Sequence, residues 1–273
     1  MPKKTELEIM QMAAAMANHT WTGGQRITEY QWLTKSGLAH DVLAKSEPIP
    51  ERLPVPHMLY KYMKRKYADS LITSGNVRIG TLHGFRDVER FGVGIADPME
   101  GKKSVVEHIE HRKYLGGTPD ANALKQLGIE IGKYGAPTIS NAAIQIDVDH
   151  PDAYVWCCSR SKSRAAMEKI DGADTCVEIF DVNGFYGALI EAMRNTGDFK
   201  VAGPLSVIYH SLVERWNGKN LGEHPMFMKG RFFTDQEEVR IGWIPTAREG
   251  YPLQQHVDIP QSGIGRFCRI VEV

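Results

Sequence analysis

From residue 142 to the C-terminus the chain is a series of short β-forming runs broken by turns, with one helical stretch among them. The runs cover 142–148, 154–159, 175–181, 205–210, 239–244 and 267–273, and the helical stretch covers 182–196. Before them, 58–62 reads as a strand, 64–72 as a helix and 76–82 as a strand. The helix is closed by Ser74-Gly75, and glycine takes a left-handed C-terminal position without steric cost. A charged, glycine-rich loop follows over 83–103, and helix and turn material is expected to about Tyr134. Strands outnumber helices and do not alternate with them regularly. That pattern predicts an α+β fold rather than a doubly wound parallel sheet.

Residues 1–45 read as helical, with Leu7, Met10, Ala13 and Met16 at near-helical spacing and a break at Thr22-Gly23-Gly24. Residues 46–56 hold four prolines in eleven positions. Proline lacks an N–H donor and restricts its predecessor, so this stretch is expected to be extended. The expected organisation is therefore an N-terminal helical arm with a proline-rich linker over 1–56, and a main domain over 57–273.

The chain has 273 residues, enough for a sizeable core. Its 33 basic and 33 acidic residues cancel, so no global charge favours nucleic acid. No apolar run is long enough to cross a bilayer, and the Ala-rich piece over 10–16 is too short for a secretory signal. A cytoplasmic protein without membrane contact is expected. The four cysteines, Cys157, Cys158, Cys176 and Cys268, form no Cys-x-x-Cys pair and suit no zinc site. Buried free thiols are the expectation.

The segment from Phe232 to Trp243 carries the most chemistry. A Thr234-Asp235 turn leads into Gln236-Glu237-Glu238, and a β-forming run begins at Val239. If all three belong to the strand, Gln236 and Glu238 share a face. An amide and a carboxylate at a strand mouth suit bond cleavage at a sugar carbon, where a carboxylate stabilises positive charge. Gln-x-Glu in that position is used by many mono-ADP-ribosyltransferases. The alternative is a polar strand entrance, with Glu238 a structural acid paired to Arg240.

The order of motifs resembles a bacterial family of largely uncharacterised proteins linked to abortive phage infection. The carriers are Leu59-Tyr60-Lys61-Tyr62, Gly75-Asn76-Val77-Arg78-Ile79, Asp97-Pro98-Met99-Glu100, Val155-Trp156-Cys157-Cys158-Ser159, Lys229 and Glu238-Val239-Arg240. The layout is also similar to DarT-like ADP-ribosyltransferases. That resemblance implies a split β-sandwich and NAD as the donor substrate. It implies a toxin or defence effector of toxin–antitoxin type, with an antitoxin as partner. The macromolecular acceptor would be nucleic acid, RNA or DNA, in preference to protein. Two alternatives remain: an NAD glycohydrolase using the same acid, and a non-catalytic nucleic-acid-binding defence protein.

On this reading Glu238 and Gln236 are catalytic, with Gln236 facing the acceptor. Tyr60, Lys61, Arg78 and Ser159 bind NAD. Lys61 stands where the DarT-like branch has histidine, and lysine can donate but not accept. Arg78 would clamp the pyrophosphate, Tyr60 or Tyr62 would stack on nicotinamide, and Ser159 would hold the ribose. Each residue also has a plain structural reading, as a core aromatic, a solvent-facing cation or a turn former. Asp87, Glu89, Asp97 and Glu100 crowd one loop without the spacing of a calcium site. The pair His108 and His111 lacks the spacing of a zinc protease and is expected on an exposed helical face. Gly92-Val93-Gly94 does not open a helix after a strand, so it is no dinucleotide fingerprint.

Overall fold

The structure is a computed structural model that describes residues 49–92, 94–246, 253–260 and 263–273. The expected N-terminal helices lie outside these residues. The strands in chain order are β1 (Leu59–Met63), β2 (Asn76–Thr81), β3 (Lys102–Lys113), β4 (Thr138–Asp149), β5 (Tyr154–Ser159), β6 (Thr175–Ile179) and β7 (Phe199–Ser206). They continue with β8 (Ile208–Tyr209), β9 (Val213–Arg215), β10 (Met228–Lys229), β11 (Glu238–Pro245), β12 (His256–Pro260) and β13 (Cys268–Val271). The helices are α1 (Arg65–Ser74), α2 (Val88–Phe91), α3 (Pro119–Ala123), α4 (Arg164–Glu168) and α5 (Val182–Arg194). This is an α+β protein whose larger sheet is antiparallel throughout.

Two compact units divide the described chain. Among the described residues the larger comprises 51–101, 150–209 and 226–273, and the smaller comprises 49–50, 102–149 and 210–225.

In the larger unit eight strands form one sheet, in the order β12-β2-β5-β1-β6-β13, with β11 and β7 added on the other side of β5. Strand β5 is where the sheet forks. One edge pairs with β11 along its whole length, from Ser159↔Glu238 to Tyr154↔Trp243. The other edge is divided: β1 meets it at Tyr60↔Ser159, and β2 meets it at Gly80↔Val155 and Thr81↔Tyr154. Between these two points Trp156, Cys157 and Cys158 have a strand neighbour only in β11.

One face of this sheet builds the core. Leu59, Val77, Ile79, Trp156, Val177, Ile179, Val239, Ile241 and Trp243 are buried there with Ala68 and Leu71 of α1 and Phe185, Leu189 and Met193 of α5. Alternation along the strands puts every second residue into this layer. Helix α1 ends on Gly75 at φ 67°, whose N–H reaches Leu71 O, as the Ser-Gly stop predicts. Helix α5 starts on Asp181, whose carboxylate accepts from Gly184 N, so its beginning matches the sequence reading.

The end of the proline-rich stretch, from Glu51 to Pro56, belongs to this unit. Arg52 donates to Ser206 O, and Arg160 donates to Pro54 O and to Ser206 Oγ (2.8 Å). Strand β12 has no counterpart in the sequence reading; Val257 and Ile259 do alternate with His256 and Asp258, but the run is only five residues long, and pairing with β2 defines it.

The smaller unit corrects one expectation. Residues 104–113, read as helix and turn, belong to strand β3, which is paired with β4 from Lys102↔Asp149 to Lys113↔Thr138. Strand β9 adds in parallel beside Ser104–Val106. Local composition was ambiguous, and cross-strand pairing decided it. His108 and His111 therefore lie on a strand, and His111 Nδ1 sits 2.7 Å from Ser140 Oγ. Ile109, Tyr114, Ala121, Leu124 and Leu127 form this unit's own core.

Candidate functional site

The second face of the forked sheet is polar where the first is apolar. Glu238 and Arg240 alternate with core-facing Val239 and Ile241, so both carry their charges to this face. Opposite them in register are Ser159 and Cys157 of β5.

Arg240 is 2 % exposed and organises the site. Its Nη1 and Nη2 hold the two carboxylate oxygens of Glu100 at 2.5 and 2.9 Å. Its Nε donates to Glu238 Oε2 (2.6 Å), and Nη1 also donates to Met226 O (2.9 Å). A planar guanidinium with five donors suits such a bidentate grip. The other Glu238 oxygen accepts from Lys229 Nζ (2.8 Å), which also donates to Gln236 Oε1 (2.7 Å). Burial alone would raise the Glu238 pKa; Arg240 and Lys229 together outweigh it and hold the carboxyl well below its ordinary range.

The Asp97-Pro98-Met99-Glu100 motif is a tight turn that delivers Glu100 to Arg240. Asp97 O accepts from Glu100 N (2.9 Å), and Asp97 Oδ1 accepts from Met99 N (2.9 Å). Asp97 Oδ2 is buried without a hydrogen-bond partner. Burial and the neighbouring Glu100 push the Asp97 pKa up to about 6, against the pull of Lys229 and Arg240.

Gln236 does not lie on β11. It ends a 3₁₀ turn over Arg231–Gln236, and Glu237 follows at φ 42°, a left-handed conformation that L-residues adopt at a cost. That kink swings the chain into β11, so Gln236 and Glu238 meet through Lys229 rather than by strand alternation. The Gln236 amide is engaged at both ends, since its Nε2 donates to Gly94 O (2.6 Å). Gly92 and Gly94 lie so close to 169–171 that a Cβ on Gly94 would stand 1.7 Å from Lys169 O and one on Gly92 would stand 1.6 Å from Asp171 Oδ2. The two glycines thus serve a close backbone approach, not a phosphate loop.

A cavity of about 210 Å³ opens beside this cluster. Its polar wall is Glu100, Lys229, Gln236, Glu238 and Arg240; its apolar wall includes Tyr60, Phe85, Phe91, Ile95 and Ile170. Cys157 and Ser159 contribute from β5. Burial, and then Glu238, pushes the Cys157 thiol up to about 11, so it is a neutral group at neutral pH. Tyr209, whose hydroxyl accepts from Glu238 N (2.7 Å), also stays neutral, its pKa raised by burial first. The remaining thiols are free, and burial raises all of them.

Of the residues singled out in the sequence, Glu238, Gln236, Tyr60, Lys61 and Ser159 all line this cavity. Tyr62 does too, but its hydroxyl is committed to Ser161 O (2.7 Å) and Ser163 N (2.6 Å), which pins the turn after β5. Lys61 enters the fork: its Nζ donates to Cys157 O (2.5 Å) and lies 5.2 Å from the centre of the Trp156 ring. Ser159 Oγ donates to Ser161 O (3.1 Å) and accepts from Ser161 N (3.4 Å), which leaves it one acceptor lone pair. Arg78 stands apart from the cavity. It is an exposed residue paired bidentately with Asp258 across β2 and β12. Lys64, Arg65 and Lys66 are solvent-facing, with Arg65 bound to Asp69 and Lys66 over Tyr67.

The sequence reading passed over Glu100 and Arg240 as site residues, and it assigned Lys229 no role. The available signal was two charged motifs far apart in sequence, each flanked by apolar residues. Among the described residues no group of His, Cys, Asp and Glu side chains could hold a metal ion, and no helix is long and apolar enough to cross a membrane. Comparisons with protein-family models, with curated proteins and with solved structures returned no match.

Proposed function

We propose that the larger unit is a mono-ADP-ribosyltransferase-like domain that binds NAD in the fork of its sheet. The carrying observation is convergence: four motifs spread between residues 59 and 240 line one cavity around the carboxylate of Glu238. The cavity is smaller than the ~300–1,000 Å³ that encloses a whole drug-sized ligand. It suits one ring and its sugar, with the rest of a dinucleotide outside. Tyr60 and Phe85 offer ring faces for nicotinamide, and Ser159 offers an acceptor for a ribose hydroxyl. Glu238 is ionised and fixed, so it stands ready to stabilise positive charge on the ribose as nicotinamide leaves. ADP-ribose would then pass to a macromolecular acceptor, nucleic acid in preference to protein.

Gln236 has a different role in this proposal from the one its sequence position suggested. Its amide is bound on both sides, so it positions Lys229 and Gly94 rather than the acceptor.

A second reading has its own observation. Both oxygens of Glu238 already hold cations, which weakens the field that a developing sugar cation would feel. A domain that binds the nucleotide without cleaving it would tolerate that neutralisation.

Nicotinamide release from NAD by the purified protein, with and without RNA, DNA or protein acceptor, separates the readings. Transfer or hydrolysis predicts release that falls on the order of 100-fold or more in Glu238→Gln. A matching circular dichroism melt shows whether that variant is folded. Binding of NAD without release supports the second reading, and equal release by parent and variant removes Glu238 from the chemistry.

A further inference from the structure

The charges that face the cavity are not all spent on one another. Three cations line it, Lys61, Lys229 and Arg240, against two carboxylates, Glu100 and Glu238. Arg240 grips Glu100 and donates to Glu238, and Lys229 takes the other Glu238 oxygen. Asp97, the third buried acid, belongs to the turn that carries Glu100 and does not line the cavity; Arg86 Nε donates to the Glu100 carbonyl of the same turn (2.8 Å). That leaves Lys61. Among the described residues its ammonium group meets no carboxylate; it touches Cys157 O (2.5 Å) and the Trp156 ring, whose centre is 5.2 Å away. One of its three donors is thereby spent and two are not. A half-buried charge without a counterion is completed by an anion from the ligand.

The place of this ammonium group decides what kind of anion can reach it. Lys61 enters the fork, where β5 has a strand neighbour on one side only over Trp156–Cys158. Its hydrogen bond goes to the main chain of β5, and the ring beneath it, Trp156, is only 4 % exposed. The group therefore stands at the level of the sheet, on the floor of the cavity and not at its rim. The walls around it are apolar, with Tyr60, Phe85, Phe91 and Ile95. A space of about 210 Å³ holds a ring and little more beside it. An oxyanion that reaches the floor is thus carried on the ring itself, and aromatic walls suit a planar ring.

We propose that the cavity selects a planar aromatic ring bearing a carboxylate, with Lys61 as the residue that binds the anion and sets the specificity. The ring packs between the aromatic walls, and its carboxylate takes the two unspent donors of Lys61. Glu100 and Glu238 oppose it little, because Arg240 and Lys229 neutralise them at hydrogen-bond distance. An amide of the same shape would offer the same donors a neutral oxygen, which is a weaker acceptor. The inference rests on the dinucleotide reading only in its consequence for substrate class: a dinucleotide with a carboxylate in place of the nicotinamide amide becomes the preferred donor.

The test is titration calorimetry of the full chain at pH 7.5 with two matched pairs of probes. Nicotinate is compared with nicotinamide, and benzoate with benzamide. The acid of each pair should bind on the order of tenfold more tightly than its amide. Lys61→Met keeps most of the aliphatic stem and removes the charge. It should weaken the acids until acid and amide agree within about twofold. Lys61→Gln keeps a donor without the charge and should level the two as well. Circular dichroism shows which variant is folded, and one folded variant suffices.

Amides that bind the parent as tightly as the acids overturn the inference. So does an acid preference that survives intact in a folded variant, and so does failure of both acids to bind at millimolar concentration. Release of the ring from NAD⁺ and from nicotinic acid adenine dinucleotide separates the inference from the reading beneath it. Faster release from the acid form supports both, and faster release from NAD⁺ overturns the assignment of substrate class. Acid-selective binding of the single rings with no release from either dinucleotide leaves the inference standing and removes the transferase reading. Release from NAD⁺ by a protein that binds acids no better than amides does the reverse.

Discussion

Each unit buries a lysine against a glutamate, and the two pairs are built differently. In the smaller unit Lys103 donates to Glu214 Oε1 (3.0 Å), to Leu221 O (2.5 Å) and to Glu223 O. One cation meets one carboxylate, and backbone carbonyls take the remaining donors. Burial lowers the Lys103 pKa and raises that of Glu214, while each partner opposes the shift of the other. Even the loop backbone is pressed onto the pair, since a Cβ on Gly222 would stand 2.0 Å from Glu214 Oε2. In the larger unit two buried cations are shared among three buried acids, one carboxylate oxygen has no partner, and a cavity adjoins that a third cation, Lys61, also lines. An enclosed one-to-one pair fastens a loop. A shared network of charges beside a cavity is a site that a ligand can reach. Burial of charge alone does not distinguish them; the count of partners does.

Removing one cation from each cluster makes the sharpest test of that difference. Arg240→Met strands Glu100 and Glu238, and Lys103→Met strands Glu214. Breaking a buried pair on one side costs about 3–5 kcal/mol. Both variants should therefore lose much of their stability in urea melts followed by tryptophan fluorescence. Where Lys103→Met still folds, NAD binding should be unchanged, because no residue of its cluster lines the cavity. Arg240→Met should lose it. Equal loss of binding in both would erase the distinction between a fastening pair and a site.

Asp97→Asn gives a smaller effect with a definite sign. Folding raises the Asp97 pKa from about 3.8 to about 6, so the native state holds the proton more tightly than the unfolded chain. Stability from this source is fully present below pH ~3.8 and is lost as pH rises through 6. The resulting penalty at neutral pH is on the order of 3 kcal/mol at most. Asparagine mimics the protonated acid at every pH. The variant should melt at a higher temperature than the parent at pH 7.5, and the two should converge below pH 4. A variant less stable at pH 7.5 would mean that the ionised carboxylate is needed for the fold.

The smallest effect belongs to Arg78→Ala. Its ion pair with Asp258 is exposed on both sides, and such pairs contribute about 0–1 kcal/mol. NAD binding and nicotinamide release should stay within about twofold of the parent. A tenfold loss would return Arg78 to the site as a phosphate clamp and would extend the cavity's reach towards β2.

Much of the larger unit was readable from short-range signals. The Ser74-Gly75 stop, the start of the helix at 182 and the β-forming runs of β5 and β11 each depend on residues a few positions apart, so local sequence carries them. Glu238 was readable for the same reason, because it stands at the mouth of a β-forming run; Arg240, two residues on, was read only as its structural partner. The run at 104–113 was misread because its Val105-Val106 and His108–His111 pieces satisfy helix and strand equally well, and only pairing with β4 separates them. Gln236 reached the site by a left-handed kink at Glu237, which alternation does not anticipate.

What the sequence alone determined was the set of chemical groups and the strands that bear them. Which charges meet was decided by tertiary structure. Glu100 and Arg240 lie 140 positions apart, and their contact depends on the turn at Asp97 and on the polar face of β11 closing over the same space. That buried network is invisible in a chain whose total charge is zero. It exists only because folding encloses five particular side chains in a medium that solvates charge poorly, and there each charge must be met by a partner.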